Sequence, residues 1–410
     1  MPDVVIVGAG QAGLAASACL SQYDINHIVM EKYEIGASWR RQRWDSFCLV
    51  TPNWTVRLPG QVYDGPDPDG FMAGSKFVAF LESYASRRAL PIQLRTEVQL
   101  ATPKNDGWVL ETSSGSVHTR ALIVATSTYQ APLIPNFAHS IDSRILSLSA
   151  ADYRSPGQLP PGKVLVVGSA QSGVQISEDL LASGREVFLS VSRAGRVPRR
   201  YRGRDVIEWQ DLMGSLDRPV SALENSRERF GGEPHMTGRE GGHTVSLQHL
   251  HARGVRLLGR VGATDESTLI LQSDLRKNLA GADQFAAEFS KDVDTYIAAS
   301  NLIAPRDTPE PEHNPVMSLS RFDEPGRLDL VAEEVSAIVW ATGFRFDFSW
   351  IVADVFDEYG YPSTLRGKTT VPGLFFLGLN YLHSRKSGII YGVGEDAAHV
   401  TKQVLSFLNS

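Results

Sequence analysis

The apolar residues of this chain gather in short unbroken runs rather than in alternation. Residues 4–7, 27–30, 121–125, 164–167, 187–191, 338–341 and 374–377 are apolar almost throughout, the pattern of parallel strands covered by helices on both faces. Helical patterns over 14–22 and 174–182 each fall between two such runs, so strand, helix, strand units are predicted at two places. The stretch Ser155-Pro156-Gly157-Gln158-Leu159-Pro160-Pro161-Gly162 cannot continue helix or sheet and predicts a linker before the second unit. A long helical pattern over 274–301 runs into a second irregular, Pro-rich stretch at 304–316, where the chain is expected to return to its first domain.

Chemistry enters at the turns of these units. After the first run comes Gly8-Ala9-Gly10-Gln11-Ala12-Gly13, a GxGxxG between strand and helix. Gly8 suits the tight turn, Gly10 lets backbone approach a pyrophosphate, Gly13 lets helix pack on strand, and the helix N-terminus faces the anion. Glu31 ends the next strand, where a carboxylate accepts hydrogen bonds from ribose hydroxyls. The second unit reads Gly168-Ser169-Ala170-Gln171-Ser172-Gly173, with Ala170 in place of the middle glycine and with Ser169 and Ser172 able to bond a phosphate. Where Glu31 stood, this unit has Ser192-Arg193. An arginine there suits a 2′-phosphate, which a carboxylate would repel, so Arg193 is assigned to NADPH. Arg196, Arg199, Arg200, Arg202 and Arg204 follow, and most of these are expected to be solvated surface charge. Ala125-Thr126-Ser127 and Ala341-Thr342-Gly343-Phe344 each end a buried run, and each could bring backbone close to a dinucleotide.

Composition narrows the alternatives. A net charge of -6 argues against a nucleic-acid binder. Two cysteines, Cys19 and Cys48, can build neither a disulfide framework nor a thiolate metal site, and their spacing offers no CxxC redox pair. No targeting segment or membrane-spanning run is read, so a cytoplasmic protein with no integral membrane segment is expected. His249 and His251 point to different faces of a predicted helix, and no metal site is expected. With two dinucleotide sites and no separate acid, base or nucleophile set, the cofactors must do the chemistry.

The chain resembles the flavin-containing monooxygenases, and among them bacterial flavoproteins of the monooxygenase-like and transport-associated kind. The likeness rests on Gly8, Gly10 and Gly13 with Glu31, on Gly36-Ala37-Ser38-Trp39 against the family's GGxW, on Thr51-Pro52 leading to Leu58-Pro59-Gly60, and on Arg199-Arg200-Tyr201-Arg202-Gly203-Arg204-Asp205, Trp340-Ala341-Thr342-Gly343-Phe344 and Gly378. It implies an α/β fold of two Rossmann-like domains, with an NADPH domain (158–316) inserted into a discontinuous FAD domain (1–157 and 317–410). It also implies that Ser38, Trp39, Thr126 and Gly378 help hold FAD, that Thr342 and Gly343 approach a dinucleotide, and that Asn53 faces the reactive flavin edge as the catalytic residue. The family's FxGxxxHxxxY signature is degraded: Phe137 is followed by Ala138-His139, Ser149 stands where the histidine is expected, and Asp152-Tyr153 remains. Ser127 replaces the glycine of the first ATG. The implied reaction passes a hydride from NADPH to FAD and oxygenates a nitrogen or sulfur of a small molecule with O2 through a C4a-(hydro)peroxyflavin. Tyr153, where Baeyer–Villiger enzymes tend to carry Trp, points to heteroatom oxygenation. Baeyer–Villiger oxygenation of a carbonyl and a non-oxygenating, NADPH-responsive flavoprotein are the alternatives, and a homodimer is the assembly to test for.

Overall fold

The computed structural model describes residues 1–315 and 317–410. In chain order it contains β1 (Val4–Val7), α1 (Gln11–Ser21), β2 (His27–Met30), β3 (Ile92–Gln93), β4 (Ala121–Val124), β5 (Leu146–Ser149), β6 (Lys163–Val167), α2 (Gln171–Ala182), β7 (Val187–Ser190), β8 (Arg256–Leu258), α3 (Leu275–Ala299), β9 (Val335–Trp340), β10 (Leu374–Phe376) and α4 (Val393–Leu408), besides shorter elements.

These strands form two five-stranded parallel sheets, one ordered β10-β4-β1-β2-β3 and the other β5-β9-β6-β7-β8. Val4 pairs with His27 on one side and Ala121 on the other, and Val164 pairs with Val187 and Ala337. The central strands are buried along their whole length save for Lys163 at the start of β6, which is why they read as continuous apolar runs. Each sheet also carries a three-stranded antiparallel annex. In the first sheet this annex is Val98–Lys104, Gly107–Thr112 and Gly115–Thr119; in the second it is Val261–Asp265, Thr268–Leu271 and Arg327–Asp329. The strands of both annexes were not read from the sequence.

The expected domain limits need correction. β5 precedes the 155–162 linker yet pairs with β9, and β9 lies beyond residue 316 yet pairs with β6, so the second unit reaches outside 158–316 on both sides. The 304–316 stretch is therefore not the return to the first domain, and its last residue, Val316, lies outside the described residues. The crossings are near 125–145 and after Ala341, where Ala131–Pro132 and Phe344–Arg345 pair antiparallel and tie the two connections together.

A further clasp comes from Arg199, whose side chain is fully buried. It forms a bidentate pair with Asp205, donates 2.8 Å to the Val50 carbonyl in the first unit, and lies 4.2 Å over the Phe71 ring. Among the described residues no helix is long and apolar enough to cross a membrane.

Candidate functional site

The carboxyl ends of parallel strands leave room for ligands, and here each sheet places a glycine loop at that end. Gly8 adopts φ +107°, and a Cβ there would lie 2.6 Å from the Ala125 carbonyl oxygen. At Gly13 a Cβ would lie 1.8 Å from the Gly8 carbonyl oxygen. Gly10 differs: nothing lies within 4 Å of a Cβ placed there, and its φ of -84° with ψ of -172° is open to any residue. Packing thus demands glycine at 8 and 13, whereas at 10 its absence of a side chain only keeps space clear at the α1 N-terminus. A pyrophosphate fits that cradle, held by backbone N–H groups and the helix dipole.

The other first-domain candidates surround this loop. The Glu31 carboxylate accepts from the Ala9 and Tyr33 N–H groups at 2.8 and 2.9 Å and keeps lone pairs for further donors. Burial raises its pKa, and the Ala9 and Tyr33 bonds oppose that rise. Gly36, in the left-handed region at φ +67°, donates 3.0 Å to the Ala9 carbonyl, and Trp39 Nε1 donates 2.9 Å to Gln11 at the start of α1. Ser38 is exposed on the short helix Ala37–Arg41. Gly378 comes so close to α1 that a Cβ would lie 2.5 Å from the Ala12 Cβ. Thr126 accepts from Gln130 at 3.2 Å, and Ser127 keeps φ +67°, a conformation that favours glycine.

The second loop repeats the same logic. Gly168 has φ +102°, and a Cβ there would lie 2.5 Å from the Ala341 carbonyl oxygen; a Cβ at Gly173 would lie 1.8 Å from the Gly168 carbonyl oxygen. Ala170 holds the N-cap position of α2 with an extended backbone, so its methyl causes no conformational strain. The Ser172 side chain stands on the first turn, half-buried.

The Ser169 expectation is corrected: its hydroxyl is buried and bonded to the Ser192 backbone, at 3.0 Å from the nitrogen and 3.3 Å from the carbonyl, so it shapes the loop. Thr342 likewise donates to the Leu133 carbonyl, while Gly343 stands open beside the loop at φ +95°. Sequence reading missed the segment that grips this loop. His235 Nε2 donates 2.6 Å to the Ser169 carbonyl, and Gln171 bonds Pro234 O and Met236 N at 2.8 and 3.0 Å. Burial pushes His235 down to about 4, so at neutral pH it is a neutral donor with one tautomer fixed.

The arginine run resolves into individual roles, and the surface-charge reading fails for two members. Arg196 is buried and paired with Asp283 at 2.8 Å, and Arg199 is the interdomain clasp. Arg200 bonds the Gly241 and Gly242 carbonyls, Arg202 pairs with Asp294, and Arg204 pairs with Glu208. Arg193 is exposed, lines a cavity of about 310 Å³, and forms no ion pair among the described residues. An unengaged guanidinium at the end of β7 is what a 2′-phosphate site needs.

Asn53 lies buried on the turn Asn53–Thr55. Its Nδ2 donates 2.9 Å to the Asp67 carbonyl, which fixes the amide's orientation and leaves Oδ1 buried without a partner among the described residues. Tyr153 is fully buried with its hydroxyl given to Asp179 at 2.7 Å. It acts as a pin between linker and α2, so its identity says little about which oxygenation occurs. Cys19 is buried, with its thiol pushed up to about 11, and the Cys48 thiol is raised too, so neither is a ready thiolate. Arg43 also escaped sequence reading. Half-buried and without a carboxylate partner among the described residues, it lies 5.3 to 5.7 Å from the Trp39, Phe47 and Tyr129 rings.

Comparison with known proteins agrees with this geometry. Residues 5–204 match the pyridine nucleotide-disulphide oxidoreductase family. An uncharacterized oxidoreductase described as CzcO-like, from Geobacillus kaustophilus, is 31% identical over 408 residues, 98% of each chain. The chain belongs to the CzcO-like oxidoreductases. A flavin-containing monooxygenase from Stenotrophomonas maltophilia shares the fold of this CzcO-like chain at TM-score 0.67 and 19% identity, over 99% of both chains. OTEMO, solved in complex with FAD and NADP, shares it at TM-score 0.57 and 15% identity, over 100% of this chain and 86% of that one. The flavin-monooxygenase likeness and the two-domain α/β architecture read from the sequence therefore hold.

Proposed function

We propose that this CzcO-like oxidoreductase is an NADPH-dependent FAD monooxygenase acting on a nitrogen or sulfur of a small molecule. The observation that carries the reading is the pair of like-built glycine loops, the first followed by Glu31 and the second by the unengaged Arg193. Bound FAD would supply the redox chemistry, taking a hydride from NADPH and activating dioxygen, so that one oxygen atom enters the product and the other leaves as water.

The chain's own task is to bind, orient and exclude water. The Gly10 cradle and the α1 N-terminus take the FAD pyrophosphate, Glu31 takes ribose hydroxyls, and Ser38, Trp39, Thr126 and Gly378 enclose the site. The α2 N-terminus and Ser172, on the loop that Gly168 and Gly173 allow to pack, take the NADPH pyrophosphate, Thr342 and Gly343 flank it, and Arg193 takes the 2′-phosphate. Asn53 Oδ1, a buried acceptor without a partner among the described residues, would accept a hydrogen bond from a protonated group at the reacting oxygen. With FAD bound, an acceptor there would hold a proton at the reacting oxygen, the condition that suits oxygenation of a neutral nitrogen or sulfur rather than of a carbonyl.

Oxygenation is tested with ¹⁸O₂ and a panel of amines, sulfides and ketones. The proposal expects substrate-stimulated NADPH oxidation and one labelled atom in an N- or S-oxide. Labelled esters would mark the Baeyer–Villiger alternative, and NADPH consumption with only hydrogen peroxide would mark a non-oxygenating flavoprotein. Asn53→Ala is expected to keep its FAD and its rate of reduction by NADPH while product per NADPH falls about 10-fold, the loss of one hydrogen bond. Unchanged coupling would leave Asn53 with only its Asp67 contact.

Arg193→Ala tests the nucleotide assignment. Losing a charge-assisted bond of about 1.5–3 kcal/mol should weaken the preference for NADPH over NADH by roughly 10- to 150-fold. The measurement is the ratio of kcat/KM for the two nucleotides. An unchanged ratio would move the phosphate site elsewhere.

A further inference from the structure

Arg193 does not stand alone in its cavity. The opposite wall is α3, which presents Lys277, Gly281 and Phe285, four residues apart and therefore in one row on one helix face. The row is held beside Arg193 at both ends. Asn278, on the first turn, donates 3.2 Å to the Val191 carbonyl, two residues before Arg193. Phe285 packs so closely on Gly195 that a Cβ there would be 2.8 Å from its ring. Arg276, next to Lys277, pairs with Glu324, and Arg196 pairs with Asp283. Lys277 and Arg193 form no ion pair among the described residues, so two free cations share one cavity.

Gly281 is the informative member. Glycine inside a helix is destabilising relative to alanine, and here the protein's packing does not ask for it. Nothing lies within 4 Å of a Cβ at Gly281, and its φ is not in the left-handed region. Gly281 lines the cavity, where the missing side chain leaves a bare step between a lysine and an aromatic ring that is 43% exposed.

We infer that this cavity seats a 2′-phosphorylated adenosine, with Arg193 and Lys277 sharing the phosphate and the bare helix at Gly281 admitting the purine against Phe285. The inference rests on the reading of the second loop as an NADPH site and adds to it a second phosphate cation and a purine wall. An aromatic face and a bare backbone accept a flat base without reading its edge, so the cations carry the selectivity.

The test uses FAD-loaded protein and calorimetric titration with 2′,5′-ADP and 5′-AMP, which needs no turnover. Wild type should bind 2′,5′-ADP at least roughly 10-fold more tightly than 5′-AMP. Lys277→Ala should weaken 2′,5′-ADP roughly 10-fold and leave 5′-AMP unchanged. Gly281→Leu should weaken both ligands at least roughly 10-fold, with flavin content and melting temperature as folding controls. Gly281→Ala should raise the melting temperature of the nucleotide-free protein by roughly 2 °C. An unchanged preference in Lys277→Ala removes the lysine from the site, and normal binding by Gly281→Leu moves the purine elsewhere. A wild type that does not distinguish the two ligands instead defeats the NADPH reading itself.

Discussion

A Gly10→Leu variant is expected to purify as a folded but colourless protein. Gly10 has φ -84° and ψ -172°, an extended backbone that leucine adopts without strain, and no atom lies within 4 Å of the Cβ it would gain. Nothing in the protein therefore resists the substitution. The added side chain would project into the space above the α1 N-terminus, where the cradle receives a pyrophosphate. Gly13→Ala is the contrasting control, because its Cβ would lie 1.8 Å from the Gly8 carbonyl oxygen and the helix would have to move off the strand. That variant should lose stability and flavin together. The ratio of flavin to protein absorbance, with a far-UV circular dichroism melt, separates the cases. A Gly10→Leu protein that retained full flavin would show that the phosphate lies elsewhere and that glycine at this position is incidental.

The loops were legible from sequence because their constraints are local. Gly13 answers to the Gly8 carbonyl one turn away and Gly8 to its own φ of +107°, so spacing alone exposes them. Contacts made across the chain were not legible. β5 reads as an ordinary segment before a linker, and only its pairing with β9, nearly 200 residues on, shows that it belongs to the second sheet. Ser169 carries a hydroxyl at the expected place, but the Ser192 backbone, brought alongside by the next strand, takes it up. Lys277 and Gly281 gave no sequence signal because the face of a helix that meets a cavity is set by tertiary packing; here Asn278 fixes it through Val191. The arginine run misled for the same reason. Arg193 and Arg199 have like charge and like neighbours in sequence, but one is exposed and unpaired among the described residues while the other is fully enclosed.

That difference gives Arg199→Met the largest expected cost in stability. The guanidinium has no exposed surface and satisfies Asp205 through two bonds of 2.8 and 2.9 Å, so removing it strands a carboxylate that is 14% exposed. Breaking a buried pair from one side typically costs about 3–5 kcal/mol. The Val50 carbonyl also loses its donor, so the first unit's 45–75 segment, which carries Asn53, loosens from the second unit. Replacing both partners, as Arg199→Met with Asp205→Leu, removes the stranded charge and should recover much of the loss. Recovery should remain incomplete by about 1 kcal/mol, because Asp205 also caps the helix Val206–Leu212 by accepting from Ile207 N. Denaturant melts of the two single variants and the double variant measure this directly. Arg193→Ala, with no protein partner to strand, should melt within about 0.5 kcal/mol of wild type. If Arg199→Met melted as Arg193→Ala does, the clasp would contribute nothing to joining the two units.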